Sequence, residues 1–154
     1  MKYGFLTITT AAVLALAALS ALAQGRNVPG ISNGSTYLHA GPGEDFPVVA
    51  HIPPGADMSI NGCTQGFIWC DVAWNGNRGW ISGRFLDGSL DDRNVNVVDY
   101  GTLMSVPTVV FDQHSYWRHN YRTYPFYSSP RFWTLSPGET AGETREDRYN
   151  PVDE

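Results

Sequence analysis

From Thr36 to Leu86 short apolar runs alternate with turn-forming residues at intervals too brief for helices of any length. Tyr37-Leu38-His39-Ala40 reads as a first strand, ended by Gly41-Pro42-Gly43-Glu44-Asp45, where proline has no donor and glycine favours turns. Phe46 to Ile52 is a second extended run, closed by Pro53-Pro54-Gly55. Met58-Ser59-Ile60 alternates into Gly62-Cys63, and Thr64-Gln65-Gly66 turns the chain. Phe67 to Trp74 is the strongest strand pattern. Asn75-Gly76 then predicts a type I′ hairpin, because both central residues of that turn need positive φ. The return strand is Arg78-Gly79-Trp80-Ile81, with Ser82-Gly83-Arg84 as a single helical turn before Phe85-Leu86. These elements predict an all-β fold, a small five-stranded barrel over 36–86.

The flanking segments carry no such pattern. Residues 24–35 read as a linker of Gly, Pro, Asn and Ser. Asp87 to Asp99 reads as a solvated acidic linker, its acid spacing unlike that of a calcium loop. Residues 87–133 form an aromatic and arginine-rich extension, and 134–154 have the composition of a disordered tail. At the other end, residues 1–23 have the form of a secretory signal peptide. Lys2 precedes an uncharged Ala/Leu-rich stretch, and Ala21-Leu22-Ala23 is a small-x-small triplet. Cleavage near Ala23 would place the mature chain in the periplasm or outside the cell. Membrane attachment is expected only if that segment stays uncleaved.

Charge narrows the partners. Downstream of Ala23 nine arginines face fifteen acids, and Lys2 is the only lysine in the sequence. A net negative chain is a poor nucleic-acid binder, which needs cations to displace phosphate counterions. Cys63 and Cys70 are the only cysteines. In an exported chain a pair normally bridges, whereas six intervening residues with no histidine nearby suit neither a metal site nor a redox Cys-x-x-Cys. A structural disulfide is therefore expected. It would place Cys63 opposite Cys70 and Ile60 near Ala73, clamping the loop that holds Gln65, Gly66 and Phe67.

Four motifs in order carry a family resemblance: Thr36-Tyr37-Leu38-His39-Ala40-Gly41-Pro42-Gly43, Phe46-Pro47-Val48-Val49, Trp69-Cys70-Asp71-Val72, and Gly79-Trp80-Ile81-Ser82-Gly83-Arg84-Phe85-Leu86. This set resembles the bacterial SH3-like (SH3b) domain family, in its exported proteobacterial type with an aromatic/Arg C-terminal extension. Thr36 departs from it, since the family usually has an apolar residue there. The resemblance implies a five-stranded SH3-like barrel that binds peptides or cell-wall material without chemistry. It places Trp69 and Phe85 in the ligand-binding groove, joined by Tyr37, with the 41–45 loop along one side. Ser82 stands where binders of proline-rich peptides have proline, which argues against polyproline ligands.

Arg118, Arg122 and Arg131 interleave with eight aromatics between Tyr116 and Trp133. Tyr116, Trp117, Arg118, Tyr121 and Arg122 are thus a candidate partner surface, since Trp, Tyr and Arg dominate binding hot spots. The competing reading folds the segment back to complete an undersized core, because arginine stems and guanidinium planes pack well on aromatic faces. His114 and His119 are five apart, which does not put them on one helix face, and His39 is expected to point outward. No nucleophile-base arrangement presents itself, so no enzymatic activity, catalytic residue, metal or cofactor is expected. The function expected is a non-enzymatic exported binding module for a peptide or peptidoglycan fragment. The alternative is a structural protein of the envelope that docks a protein partner through the extension.

Overall fold

The computed structural model describes residues 27–134. The segments expected to be signal peptide and tail lie outside the described residues, apart from Thr134. One antiparallel sheet of eight strands dominates, with β1 at Val28–Ser32, β2 at Thr36–His39, β3 at Val48–Ile52 and β4 at Asp57–Cys63. Next come β5 at Trp69–Trp74, β6 at Asn77–Ser82, β7 at Leu86–Leu90 and β8 at Arg93–Asn96. The spatial order is β3-β2-β6-β5-β4-β1-β7-β8. The five strands expected within 36–86 are β2 to β6, but they are part of a larger sheet, and no ladder joins its outer strands β3 and β8.

The hairpin at Asn75-Gly76 forms with φ of 46° and 76°, and pairs Trp74 with Asn77. The disulfide links Cys63 to Cys70, which face each other across β4 and β5. A bulge between Ile60 and Gly62 shifts the ladder, so Ile60 faces Val72 and Ala73 faces Ser59 rather than Ile60. The predicted helical turn is a 3₁₀ turn over Gly83–Phe85, and Gln65–Phe67 forms another.

Two linker readings are corrected. Within 24–35, Val28–Ser32 is β1, an interior strand between β4 and β7. Its core-facing position is Gly30, where a Cβ would come within 2.9 Å of Ile60 Cδ1 and 3.0 Å of Leu86 Cδ1. Neighbouring strands supply the apolar atoms, so the segment itself has no hydrophobic pattern. Asp87 to Asp99 likewise contains β7, β8 and a short helix α1 at Val97–Tyr100. Asp91 and Asp92 adopt φ of 49° and 60°, a hairpin turn of the same hand as Asn75-Gly76. Gly88 pairs with Gly30, and a Cβ there would lie 2.5 Å from Met104 Sδ.

The main core joins Leu38, Ile52, Ile60, Val72, Ile81 and Leu86 to Val97, Met104 and Val106. A second core joins Ala40 and Phe46 to Trp117 and Tyr121. Here helix α2, Gln113–Asn120, is capped by Asp112, whose side chain accepts from Ser115 N at 2.6 Å. The extension thus completes the fold at two places.

Candidate ligand-binding site

The outer face of β2, β6 and β5 is set by strand alternation. Cys70, Val72 and Ile81 point into the core, so Trp69, Asp71 and Ala73 point the other way. Opposite them stand Ser82, Trp80 and Arg78, and His39 pairs with Trp80 from β2. Three rows result, led by Trp69 with Ser82, by Asp71 with Trp80 and His39, and by Ala73 with Arg78.

The extension packs on Trp80, Asp71 and Arg78 in the last two rows. Phe111 lies edge-on to Trp80 at 5.4 Å between ring centroids, and Tyr116 tilts over it at 5.8 Å. Trp80 is buried, and its indole Nε1 has no hydrogen-bond partner among the described residues. The Tyr116 hydroxyl donates to Asp71 Oδ1 at 2.6 Å, and the Tyr121 hydroxyl donates to the Arg78 carbonyl at 2.6 Å. Arg78 Nε donates to both oxygens of Asp71 at 3.0 and 3.1 Å, and a terminal nitrogen makes a further close contact with Oδ2. Burial pushes both tyrosine hydroxyls well above the usual phenol range, and the hydrogen bond to Asp71 holds the Arg78 guanidinium more firmly protonated.

Trp69 in the first row and His39, at the β2 end of the second, take no part in these contacts. The Tyr37 ring meets His39 edge-on at 6.5 Å, and His39 meets Trp69 at 5.7 Å. Tyr37 is 54 % exposed, whereas His39 and Trp69 are 9 % and 8 % exposed. Tyr37 stands out from the face, and the other two present little surface beside it. His51 on β3 packs edge-on against Tyr37 at 5.3 Å and contacts Ser35 Oγ at 2.8 Å. His39 lies on the outer face, opposite core-facing Leu38, yet is buried there, with Nδ1 3.0 Å from the Phe46 carbonyl. A carbonyl only accepts, so Nδ1 carries the proton. That bond fixes the ring between Tyr37 and Trp69.

Of the three groove residues expected from the sequence, Tyr37 and Trp69 are brought together through His39, and Phe85 is not. Among the described residues no ring pair joins Phe85 to Trp69. It packs under Arg84, 5.9 Å from its guanidinium carbon, and beside Gly34. Burial divides the 41–45 loop. Gly41, Pro42 and Gly43 are buried, leaving Glu44 and Asp45 exposed. Trp117 Nε1 donates to the Ala40 carbonyl at 2.7 Å, next to that loop.

The candidate partner surface divides. Trp117 and Tyr121 are 0 % and 1 % exposed and belong to the second core, and Tyr116 is half-buried against Asp71 and Trp80. Arg118 and Arg122 remain exposed. The His114 ring is tilted against Trp133 at 5.1 Å, and both His114 and His119 are exposed on α2. Sequence reasoning missed His39, Asp71, Arg78 and Phe111. For the first three, the period-2 alternation that places Trp69 on the outer face was the available signal. Phe111 had none, because its position depends on the path of the extension.

Residues 34–87, just over a third of the chain, match the family model described as the bacterial SH3 domain. No curated protein and no solved structure matches the chain.

Proposed function

We propose, taking the bacterial SH3 domain at residues 34–87 as the premise, that the protein is an exported, non-enzymatic binding module. Its ligand is a peptide or the peptide part of a peptidoglycan fragment, lying against Tyr37, His39 and Trp69. The observation that carries this reading is the division of the outer face. The extension takes up Trp80, Asp71 and Arg78, and the chain of ring contacts from Tyr37 through His39 to Trp69 is left, with Tyr37 exposed. Aromatic surfaces of this kind bind by stacking, with a few polar groups fixing orientation. The bridge between Cys63 and Cys70 accords with an oxidising compartment.

The alternative, a partner docked on the aromatic extension, has less support. Trp117 and Tyr121 are consumed in the second core, so they offer no surface to a partner.

Titration of ¹⁵N-labelled protein with peptidoglycan fragments and their free stem peptides tests the proposal. Saturable shifts of the Trp69 indole and the Tyr37 amide are expected, with affinity reduced about tenfold in Tyr37→Ala, on the scale of one hot-spot residue. If no fragment or peptide moves either resonance, the groove reading fails.

A further inference from the structure

Beyond Trp80 lies a second surface with different chemistry. An open cleft of about 690 Å³ separates α2 from the start of β6. Its walls include Arg78, Tyr116, Arg118, His119 and Arg122, with Asp112 at the rim. Arg118 and Arg122 are four residues apart, and Arg122 Nε donates to the Arg118 carbonyl at 2.6 Å. This bond holds the Arg122 stem beside the helix end and leaves its two terminal nitrogens available.

The charges do not cancel within the cleft. Arg78 pairs with Asp71, whereas among the described residues no carboxylate pairs with Arg118 or Arg122. Asp112 offsets one of them, and its Oδ1 already accepts from Ser115 N. A net positive recess therefore sits on a chain whose formal charge is −5. Such a recess concentrates anions, while the negative remainder of the chain repels long polyanions. Guanidinium groups bind carboxylate and phosphate oxygens through paired parallel hydrogen bonds, geometry that an ammonium cannot supply.

We infer that this cleft is a binding site for a single oxyanion group, a carboxylate or a phosphate on a small ligand, held by Arg118 and Arg122. The inference does not rest on the aromatic groove, because the two sites share none of their lining residues.

Titration of the ¹⁵N-labelled protein with inorganic phosphate and, separately, with citrate tests it. Saturable shifts are expected in the Ser115 to Arg122 amides at concentrations up to about 10 mM. Stronger binding of phosphate assigns a phosphate ligand, and stronger binding of citrate a carboxylate one. The double variant Arg118→Gln/Arg122→Gln should weaken binding at least tenfold, about the loss expected for charge-assisted hydrogen bonds. Arg84→Gln, an exposed arginine outside the cleft, and Tyr37→Ala should bind like the parent protein. Arg118 and Arg122 are both exposed, and an unchanged amide spectrum elsewhere would establish that the double variant is folded. Absence of saturable shifts, or equal binding by the double variant, would overturn the inference.

Discussion

The Tyr116 hydroxyl donates to the Asp71 carboxylate at 2.6 Å, across forty-five positions of sequence. The bond joins the extension to the middle of the sheet. Asp71 is 5 % exposed and also accepts from Arg78, so the carboxylate is held from both sides. A buried charge is tolerated only when its hydrogen bonds are made.

Tyr116→Phe keeps the ring over Trp80 and removes one of those bonds. A loss of about 1.5–3 kcal/mol is expected, the range for a hydrogen bond to a charged group. Asp71→Asn should cost at least as much, because it leaves the Arg78 guanidinium without its counter-charge. Urea denaturation monitored by tryptophan fluorescence measures both. A Tyr116→Phe loss below about 0.5 kcal/mol would mean that the bond does little for the fold.

Trp117 is fully buried among Phe126, Trp133 and Tyr121, with ring centroids 5.0 to 6.3 Å away, and its indole nitrogen is bonded to Ala40. Trp117→Ala opens a large cavity and leaves the Ala40 carbonyl unpaired, so about 3–5 kcal/mol should be lost. The same experiment separates the two roles of the extension. A core role predicts a lower melting temperature and loss of protection around Phe46. A surface role predicts neither.

The sequence made some of this visible and hid the rest for identifiable reasons. Strands β2 to β6 were legible because each carries its own apolar alternation and is closed by Gly, Pro or Asn-Gly. Strand β1 was not, because Gly30 faces the core and Ile60 and Leu86 fill the space above it. The β7–β8 hairpin was hidden by a turn built from Asp91 and Asp92, which read as acidic linker. The pairing of Cys63 with Cys70 was legible, whereas the bulge beside Gly62 was not. That glycine is set by the extension, since a Cβ there would lie 2.6 Å from Val109 Cγ1. That Tyr37 and Trp69 stand on one face could be read from alternation. The packing of Phe85 beside Arg84 and Gly34 could not, because the 3₁₀ turn that directs it there has no distinct signature in its residues.

Reduction of the disulfide should act on two regions. Cys63 N donates to the Pro107 carbonyl and Val109 N donates to the Cys63 carbonyl, both at 2.8 Å, so the extension crosses directly over the bridge. Loop-closure entropy for so short a ring gives about 2.5 kcal/mol. Cys63→Ser/Cys70→Ser should therefore lower unfolding stability by roughly that amount. Hydrogen exchange at Val109 should quicken along with exchange in the Gln65–Phe67 turn. Faster exchange in the turn alone would show that the extension at Val109 is held independently of the bridge.

Alkaline pH should unfold the protein through Tyr116 and Tyr121. Both hydroxyls are held above the ordinary value of 10.0, first by burial and, for Tyr116, further by Asp71 and Tyr121. Tyrosine becomes an anion when it loses its proton, so a raised value means that the folded state retains protons that the unfolded state releases. Stability from these groups is complete below the unfolded value and is lost as pH rises beyond it. Above about pH 10 the slope should approach 1.4 kcal/mol per pH unit for each tyrosine. Tyr121→Phe removes one titrating group and should make the decline shallower, whatever it does to stability at neutral pH. The check is the urea midpoint measured between pH 8 and 11.5, alongside tyrosinate absorbance near 295 nm. A midpoint that stays flat over that interval, or a phenolate signal for all tyrosines while the protein is still folded, would contradict the burial of these two hydroxyls beneath the extension.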